Sequence, residues 1–203
     1  MLNIDPFIKN FPVNIVFLRG KAPWEISSSL KDILEHIIPS LDKDFNIKEG
    51  IAIHKSAIVE PGVTFKRPVV VMENSFIGAH AYFREGVFLD KSVKIGPGCE
   101  IKSSLICSNT AIAHFNYIGN SIIGHHVNFE AGSIAANHYN ERPSKKIKVR
   151  CKDKIIDTQV EKFGSLVGDH SKIGANAVLS PGTILEPHSI VKRLELIEQI
   201  KEK

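Results

Sequence analysis

The sequence predicts an all-β chain, most of it a parallel β-helix wound from six-residue repeats. Apolar residues stand at Ile53, Val59, Phe65, Val71, Ile77, Phe83, Leu89, Ile95 and Ile101, nine positions in succession at a spacing of six. That period fits neither the 3.6 of a helix face nor the 2 of a strand in a hairpin sheet. Repeats of this length mark a parallel β-helix, where three hexapeptides make one triangular coil and stacking of coils supplies the core. A second observation agrees: the residue four places after each post is small or modest in size, as in Ala57, Val63, Ser75, Ala81, Val93 and Cys99. Such a residue fits beside the post near a corner of the prism. Third, the beat survives five-residue steps and runs on through Ile106, Ile112, Ile118, Ile123, Phe129 and Ala135. Beyond residue 163 it returns as Val167, Ile173, Leu179, Leu185 and Val191.

The β-helix is therefore expected over residues 51–191, with about five coils before residue 137 and one to two from 163 on. Residues 1–50 have another texture. Phe7, Phe11, Val13, Ile15, Val16, Phe17 and Leu18 form an apolar cluster that reads as one strand. After Pro23 and Trp24, the residues Leu30, Ile33, Leu34, Ile37 and Ile38 fall on one helical face. Ser27, Ser28 or Ser29 is expected to cap that helix and Pro39 to end it. This element reads as a small cap or docking element, whose plain role is to cover the open end of the solenoid. Residues 138–162 break the beat with Pro143 and many charges. Their two alternating runs, around Ile147–Cys151 and Ile156–Val160, predict a projecting β-hairpin. A C-terminal helix is expected over 192–203, with Leu194, Ile197 and Ile200 on one side.

Composition narrows the function. Of the 203 residues, 43% are apolar and 7% aromatic, as in a soluble globular chain. No apolar run approaches the roughly 20 residues of a membrane span. The N-terminus lacks the pattern of a signal peptide. Cys99, Cys107 and Cys151 are odd in number and share no metal-type spacing, so a reducing cytoplasm is the expected setting. The net charge of +4 is mild. Its basic weight lies in residues 144–154, SKKIKVRCKDK, which reads as a solvated loop or a phosphate-attracting one. Basic residues do not interleave with aromatics, which argues against nucleic acid.

Candidate chemistry gathers between Ile106 and Asn137. His114, Asn116, Tyr117, Asn128 and Asn137 come from one coil and its neighbours. A lone His in a solenoid wall is usually structural; the company of these residues marks His114 as a candidate base, since imidazole titrates near neutrality. Arg84 and Lys102 are eighteen residues apart, one full coil, and should sit one above the other. Two stacked cations suit an anion, and a guanidinium can grip phosphate in two places.

The stretch KSSLICSNTAIAHFNYIGNSIIGHHVNFEAGSIAANHY is similar to the acetyltransferase domain of the bifunctional enzymes that make UDP-N-acetylglucosamine. The likeness covers roughly residues 75–191 and includes the five-residue step before Ile123. It implies a left-handed β-helix, a homotrimer with sites at subunit interfaces, and transfer of acetyl from acetyl-CoA to an amino-sugar phosphate, glucosamine 1-phosphate above all. Under the resemblance, Arg84, Lys102, Tyr117 and Asn128 bind the sugar phosphate. His114 is the base, and Asn137 joins it in catalysis. Ala131, Asn137, His138 and Ala175 line the acetyl-CoA site. His138 stands where the family usually has Tyr, and the excursion 138–162 is longer than in the common bacterial enzymes. With the nucleotidyltransferase half absent from the sequence, a separate nucleotidyltransferase becomes an expected partner. The alternative is a non-catalytic trimeric module that binds sugar phosphate or acts as a scaffold. A zinc enzyme like the hexapeptide-repeat carbonic anhydrases is disfavoured, because no His pair spaced by five lies on one strand. No metal is expected.

Overall fold

The computed structural model describes residues 2–11, 18 and 20–201. From Ile51 onward the chain pairs with itself, in parallel, at a nearly fixed offset. Ile51 pairs with Val69 and Val69 with Val87, each eighteen residues on. Past Lys102 the offset falls to seventeen: Val87 pairs with Ser104, Glu100 with Tyr117 and Ala111 with Asn128. It jumps to forty-four across the excursion, where Ile122 meets Leu166, then returns to eighteen where Leu166 meets Ile184. Three hexapeptides per coil demand eighteen, and one five-residue step makes it seventeen. The parallel β-helix is thus present, as a 13-stranded and a 7-stranded sheet among the described residues.

The posts of the six-residue beat point inward. Ile77, Phe83, Leu89, Ile95, Ile101, Ile118, Ile123, Phe129, Ala135, Ile173 and Leu179 are buried in one continuous cluster, with Ala81, Val93, Cys99 and Ala177 filling the corners between them. Burial of each such side chain contributes roughly 1.5–3 kcal/mol. Because every coil buries its posts only against its neighbours, the whole stack is the cooperative unit.

A second apolar cluster lies outside the prism. Val70, Phe88, Leu105, Ile122, Leu166 and Ile184 form an outward ladder up one face. A helix, α1 (Pro23–Ile37), lies over that face against the strands Tyr82–Leu89 and Glu100–Ile106. It buries Trp24, Ile26, Leu30, Ile33 and Leu34. Within residues 1–50 the helix thus docks on a flank of the solenoid and does not itself cover the open end. The end is met instead by Phe45–Lys48, which pairs antiparallel with Ile51–His54.

The cap of α1 also differs from expectation. The helix starts at Pro23, whose missing N–H costs nothing in the first turn. The Glu25 carboxylate accepts the Ala22 N–H at 2.7 Å. Ser27 and Ser29 lie inside the helix and donate to the carbonyls of Trp24 and Glu25. Pro39 does end it, in a short 3-10 turn over Ile38–Ser40. Of the strand expected within residues 7–18, residues 7–11 are turn and not strand, with the Phe7 and Ile8 N–H groups donating to the Ile4 carbonyl, and most of the rest falls outside the described residues.

Two further elements depart from the sequence reading. The hairpin exists, with Lys148–Cys151 antiparallel to Lys154–Asp157. It does not project, because Ile147 and Val149 are buried in the outer apolar cluster. The C-terminus is not helical: Leu196–Ile197 is a strand parallel to Val178–Leu179. Leu194 and Ile197 are three apart, which reads as a helix face; but Ile197 also stands six after Val191, and the solenoid beat wins. Arg142 from the excursion ties this last coil down, donating to Glu198 at 2.9 Å and to the Ile200 carbonyl at 3.1 Å.

Candidate functional site

Arg84 and Lys102 are register partners on neighbouring strands, and Lys102 is in turn the partner of Gly119. The sequence spacing thus puts the two cations in one column. Arg84 donates to Glu100 at 2.7 Å and to Glu85 at 2.8 Å. The Lys102 ammonium lies 3.1 Å from the Glu85 carboxylate, its side chain 6% exposed against 51% for Glu85. Burial pushes the Lys102 ammonium below its ordinary value; Glu85 opposes that, while Lys162 and Arg84 add to it. Burial would raise Glu85, but Lys102, Arg84 and Lys162 together hold it below its usual range. Both partners of one ion pair therefore shift downward. Desolvation outweighs pairing for the sunken ammonium and does not for the exposed carboxylate.

Lys162 enters this cluster because the end of the excursion is stitched to the same corner. The Phe163 N–H donates to the Asn137 carbonyl at 3.1 Å and the Gly164 N–H to the Asn120 carbonyl at 3.0 Å. Phe163 is fully buried and meets Trp24 of α1 edge-on, ring centroids 5.9 Å apart. Gly164 has no room for a side chain: a Cβ there would stand 2.3 Å from the Ser121 hydroxyl and closer still to the Gly119 carbonyl.

Tyr117 and Asn137 join the cluster from the next coils. Tyr117 pairs in register with Glu100 below and Ile134 above. Its hydroxyl and the Asn137 amide meet over Gly119, where an added Cβ would sit 2.6 Å from the one and 2.9 Å from the other. Burial raises the Tyr117 phenol, and Glu100 raises it further. Asn137 is buried and donates to Asn120 at 2.6 Å.

His114 occupies the neighbouring corner, in the turn leading into Tyr117–Gly119, and is exposed. Its carbonyl accepts from the Gly132 N–H at 3.0 Å and from the Asn116 amide at 3.2 Å. Ala131 and Ala175 continue the same corner upward: the Asn176 N–H donates to Ala131 and the Leu194 N–H to Ala175. His114, Ala131 and Ala175 thus form one stack. Asn128 lies around that corner, on the seven-stranded sheet between Ala111 and Lys172. A single chain does not bring it to Arg84 and Lys102. His138 is exposed on the excursion, with its ring 3.4 Å from the Glu161 carbonyl.

The sequence reading missed Glu85, Glu100, Asn120 and Lys162. Glu100 was within reach of a coil count, being seventeen before Tyr117. Lys162 was not, because the excursion breaks the count. In the basic stretch 144–154 the charged side chains of Lys146, Lys148, Arg150, Lys152 and Lys154 are exposed, while Ile147 and Val149 face inward; the excursion's cation beside Lys102 is Lys162. At a third corner, the rings of His126, His170 and His188 stack at 4.9 Å spacing. Among the described residues no group of three His, Cys, Asp or Glu is arranged to hold a metal, and no helix is long and apolar enough to cross a membrane.

Fold and site together define a hexapeptide-repeat β-solenoid protein with a cationic, Tyr- and Asn-lined cluster on one face. The chain belongs to the family described as the GMPPB C-terminal domain, whose model matches residues 41–156. It is 34% identical over 188 residues to the bifunctional protein GlmU of Methanococcus vannielii, covering 89% of this chain and 44% of that protein. It is 32% identical over 190 residues to a bifunctional sugar-1-phosphate nucleotidylyltransferase/acetyltransferase of Sulfurisphaera tokodaii, covering 88% of this chain and 47% of that one. The chain spans less than half the length of these curated relatives. A solved hexapeptide transferase family protein from Anaplasma phagocytophilum is 16% identical, with a TM-score of 0.47 over 76% of this chain and 82% of that one. At that level the fold rests on the pairing registers alone.

Proposed function

We propose that this chain is an acetyl-CoA-dependent N-acetyltransferase acting on an amino-sugar phosphate, with glucosamine 1-phosphate the favoured acceptor. The observation that carries the reading is the convergence of Arg84, Lys162 and the buried Lys102 beside Tyr117 and Asn137, one short strand from His114. A phosphate there relieves the desolvated ammonium better than the exposed Glu85 does, and Arg84 can add a two-point grip. The Sulfurisphaera relative, a bifunctional sugar-1-phosphate nucleotidylyltransferase/acetyltransferase by name, supports the same substrate class.

In the proposed reaction the free amine attacks the thioester carbonyl of acetyl-CoA. His114 takes the amine proton and returns it to the departing sulfur as the C–S bond breaks, so that CoA leaves as thiol. An amide carries two N–H groups, and Asn137 gives one to Asn120. Its second, beside the Tyr117 hydroxyl in the free chain, is the one left to steady the oxyanion on the thioester carbonyl. The small residues Ala131 and Ala175 leave the corner above His114 open for the CoA chain. Asn128, around the corner, reaches the sugar of an adjacent subunit, so the working unit is a homotrimer with sites between subunits. The setting is the cytoplasm, with a nucleotidyltransferase as partner in nucleotide-sugar synthesis.

A second reading, a non-catalytic sugar-phosphate-binding or scaffold module, draws on one observation: Glu85 and Glu100 already pair with Arg84 and Lys102. A thiol-release assay with acetyl-CoA and glucosamine 1-phosphate, and with UDP-linked amino sugars as parallel acceptors, separates the two. The enzyme reading expects CoA release with the sugar phosphate and its loss by at least about 100-fold in His114→Ala. Arg84→Ala should raise KM for the sugar phosphate with little change for acetyl-CoA. Full activity in a folded His114→Ala protein removes the base assignment. Tight sugar-phosphate binding with no release leaves the module.

A further inference from the structure

The corner that carries His114 turns, in each coil, through a left-handed residue. Up this corner these residues are Gly62, His80, Gly98, Phe115, Gly132, Asn176 and Leu194, all with φ between +55° and +80°. Glycine and asparagine adopt that conformation readily, and bulky apolar side chains do so at a cost. Phe115 and Leu194 depart from the rule. Phe115 and Leu194 are 71% and 79% exposed, so burial in the solenoid explains neither, and of the two it is Phe115 that adjoins the candidate base.

What Phe115 touches is the residue before it. Its ring meets the His114 imidazole edge-on, with centroids 5.6 Å apart and planes at 84°. It is seated from below by Gly98 of the preceding coil, where an added Cβ would come within 2.7 and 2.8 Å of the ring atoms Cδ1 and Cε1. The Phe115 N–H is fixed to the Pro97 carbonyl at 3.0 Å. The ring thus rests on Gly98, as His80 rests on Gly62 at the same corner, and stands edge-on to the imidazole of the candidate base. Edge-on aromatic pairs at this separation are attractive and orienting. A costly residue retained at an exposed corner points to function.

We infer that Phe115 is a positioning residue: it acts through His114, fixing the imidazole in the orientation that accepts the amine proton. The inference rests on the reading of His114 as base. It makes an unusual demand. Replacing Phe115 with Gly relaxes the backbone, so the variant keeps or raises its melting temperature while losing turnover.

The test uses the full chain. Kinetics with acetyl-CoA and glucosamine 1-phosphate, thermal melting and light scattering are compared for the native protein, Phe115→Gly, Phe115→Tyr and His114→Ala. Phe115→Gly should lower kcat by about 10-fold to 100-fold, with KM for the sugar phosphate within about twofold, the assembly mass unchanged and melting no lower. Phe115→Tyr should recover most of kcat. The His114 ring protons, assigned by their loss in His114→Ala, should shift in the proton spectrum of Phe115→Gly as the ring current disappears and stay near native in Phe115→Tyr. Native kcat in Phe115→Gly, while His114→Ala is dead, overturns the positioning role and leaves the base standing. An active His114→Ala overturns the base itself. A lost assembly or a lowered melting temperature in Phe115→Gly would make Phe115 an interface or packing residue and overturn the proposal.

Discussion

Gly86→Ala tests how the solenoid and its helix are joined. Gly86 sits at φ +91°, beside Glu85 of the cation cluster, in a bulge where Glu85 and Gly86 together oppose the single residue Ser103. The backbone of α1 rests directly on it. A Cβ at Gly86 would lie 2.7 Å from Lys31 N, 2.9 Å from Lys31 Cα and 3.2 Å from the Leu30 carbonyl carbon. These are backbone atoms of a helix, so none can swing aside. Reaching an ordinary contact of 3.4 Å means lifting α1 by 3.4 − 2.7 = 0.7 Å. The left-handed conformation costs an alanine about 1–2 kcal/mol, and overpacking adds about 1–3 kcal/mol. The first cost falls on the coil itself whether or not α1 is docked; the second, about 1–3 kcal/mol, lowers the docked-to-undocked ratio of α1 by a factor of roughly 5 to 150. The assay is built in, because Trp24 is the one tryptophan of the chain and lies on α1 against Phe163. In a urea titration the Trp24 fluorescence transition should move to lower urea, well ahead of the β-sheet signal in circular dichroism. If both transitions stay where the native protein has them, α1 is not seated on Gly86 as described and the reasoning fails.

Two further expectations concern charge and thiols. Arg193 holds Glu130 below the usual carboxylate range, and at Glu73 and Glu85 the ion pairs with Lys91 and Lys102 outweigh burial with the same result. A depressed carboxylate stabilises fully above its unfolded value of about 4.3 and loses that as pH falls through the lower folded value. The melting temperature should therefore fall as the pH drops below about 4.3, less so in high salt and less in Glu130→Gln; an unchanged slope in that variant refutes the assignment. Burial lifts the thiols of Cys99 and Cys107, the latter well above its ordinary value. A thiol reagent at neutral pH should label Cys151 first and the other two only on unfolding, and early labelling of Cys107 would mean that the prism opens.

The inward half of the fold was legible because its signal is local. Each coil repeats the post every six residues, so the period is visible without knowing which residues meet. The outward ladder of Val70, Phe88, Leu105, Ile122, Leu166 and Ile184 repeats only once per coil, at intervals of eighteen, seventeen and forty-four. No short window contains two of its members, and so the site where α1 and the hairpin dock stayed hidden. The C-terminal helix was expected from a window of twelve residues in which helix spacing and solenoid spacing coincide on Ile197. Of the site, Arg84, Lys102, Tyr117 and Asn137 were found and do converge. Lys162 could not be, since its place depends on where Phe163 and Gly164 rejoin the stack.

One residue's absence explains why the cluster forms where it does. In the coil of Phe83, the corner between two faces holds Glu85 and Gly86; in the next coil Ser103 alone turns it, and its hydroxyl donates back to the Glu85 carbonyl at 2.8 Å. Asn120 turns it in the coil after, again singly, and its side chain takes the Asn137 amide. The wider corner carries the helix through Gly86. The tighter corners above draw the backbone in, so that Lys102 sinks beneath Glu85 and the returning excursion can lay Gly164 on Gly119 and Asn120. Cations that a uniform solenoid would display one coil apart on an open face are thereby gathered with Lys162 around one buried ammonium. The five-residue step before Ile106, legible in the sequence as a slip of the beat, coincides with that narrowing and with the cationic cluster at this corner.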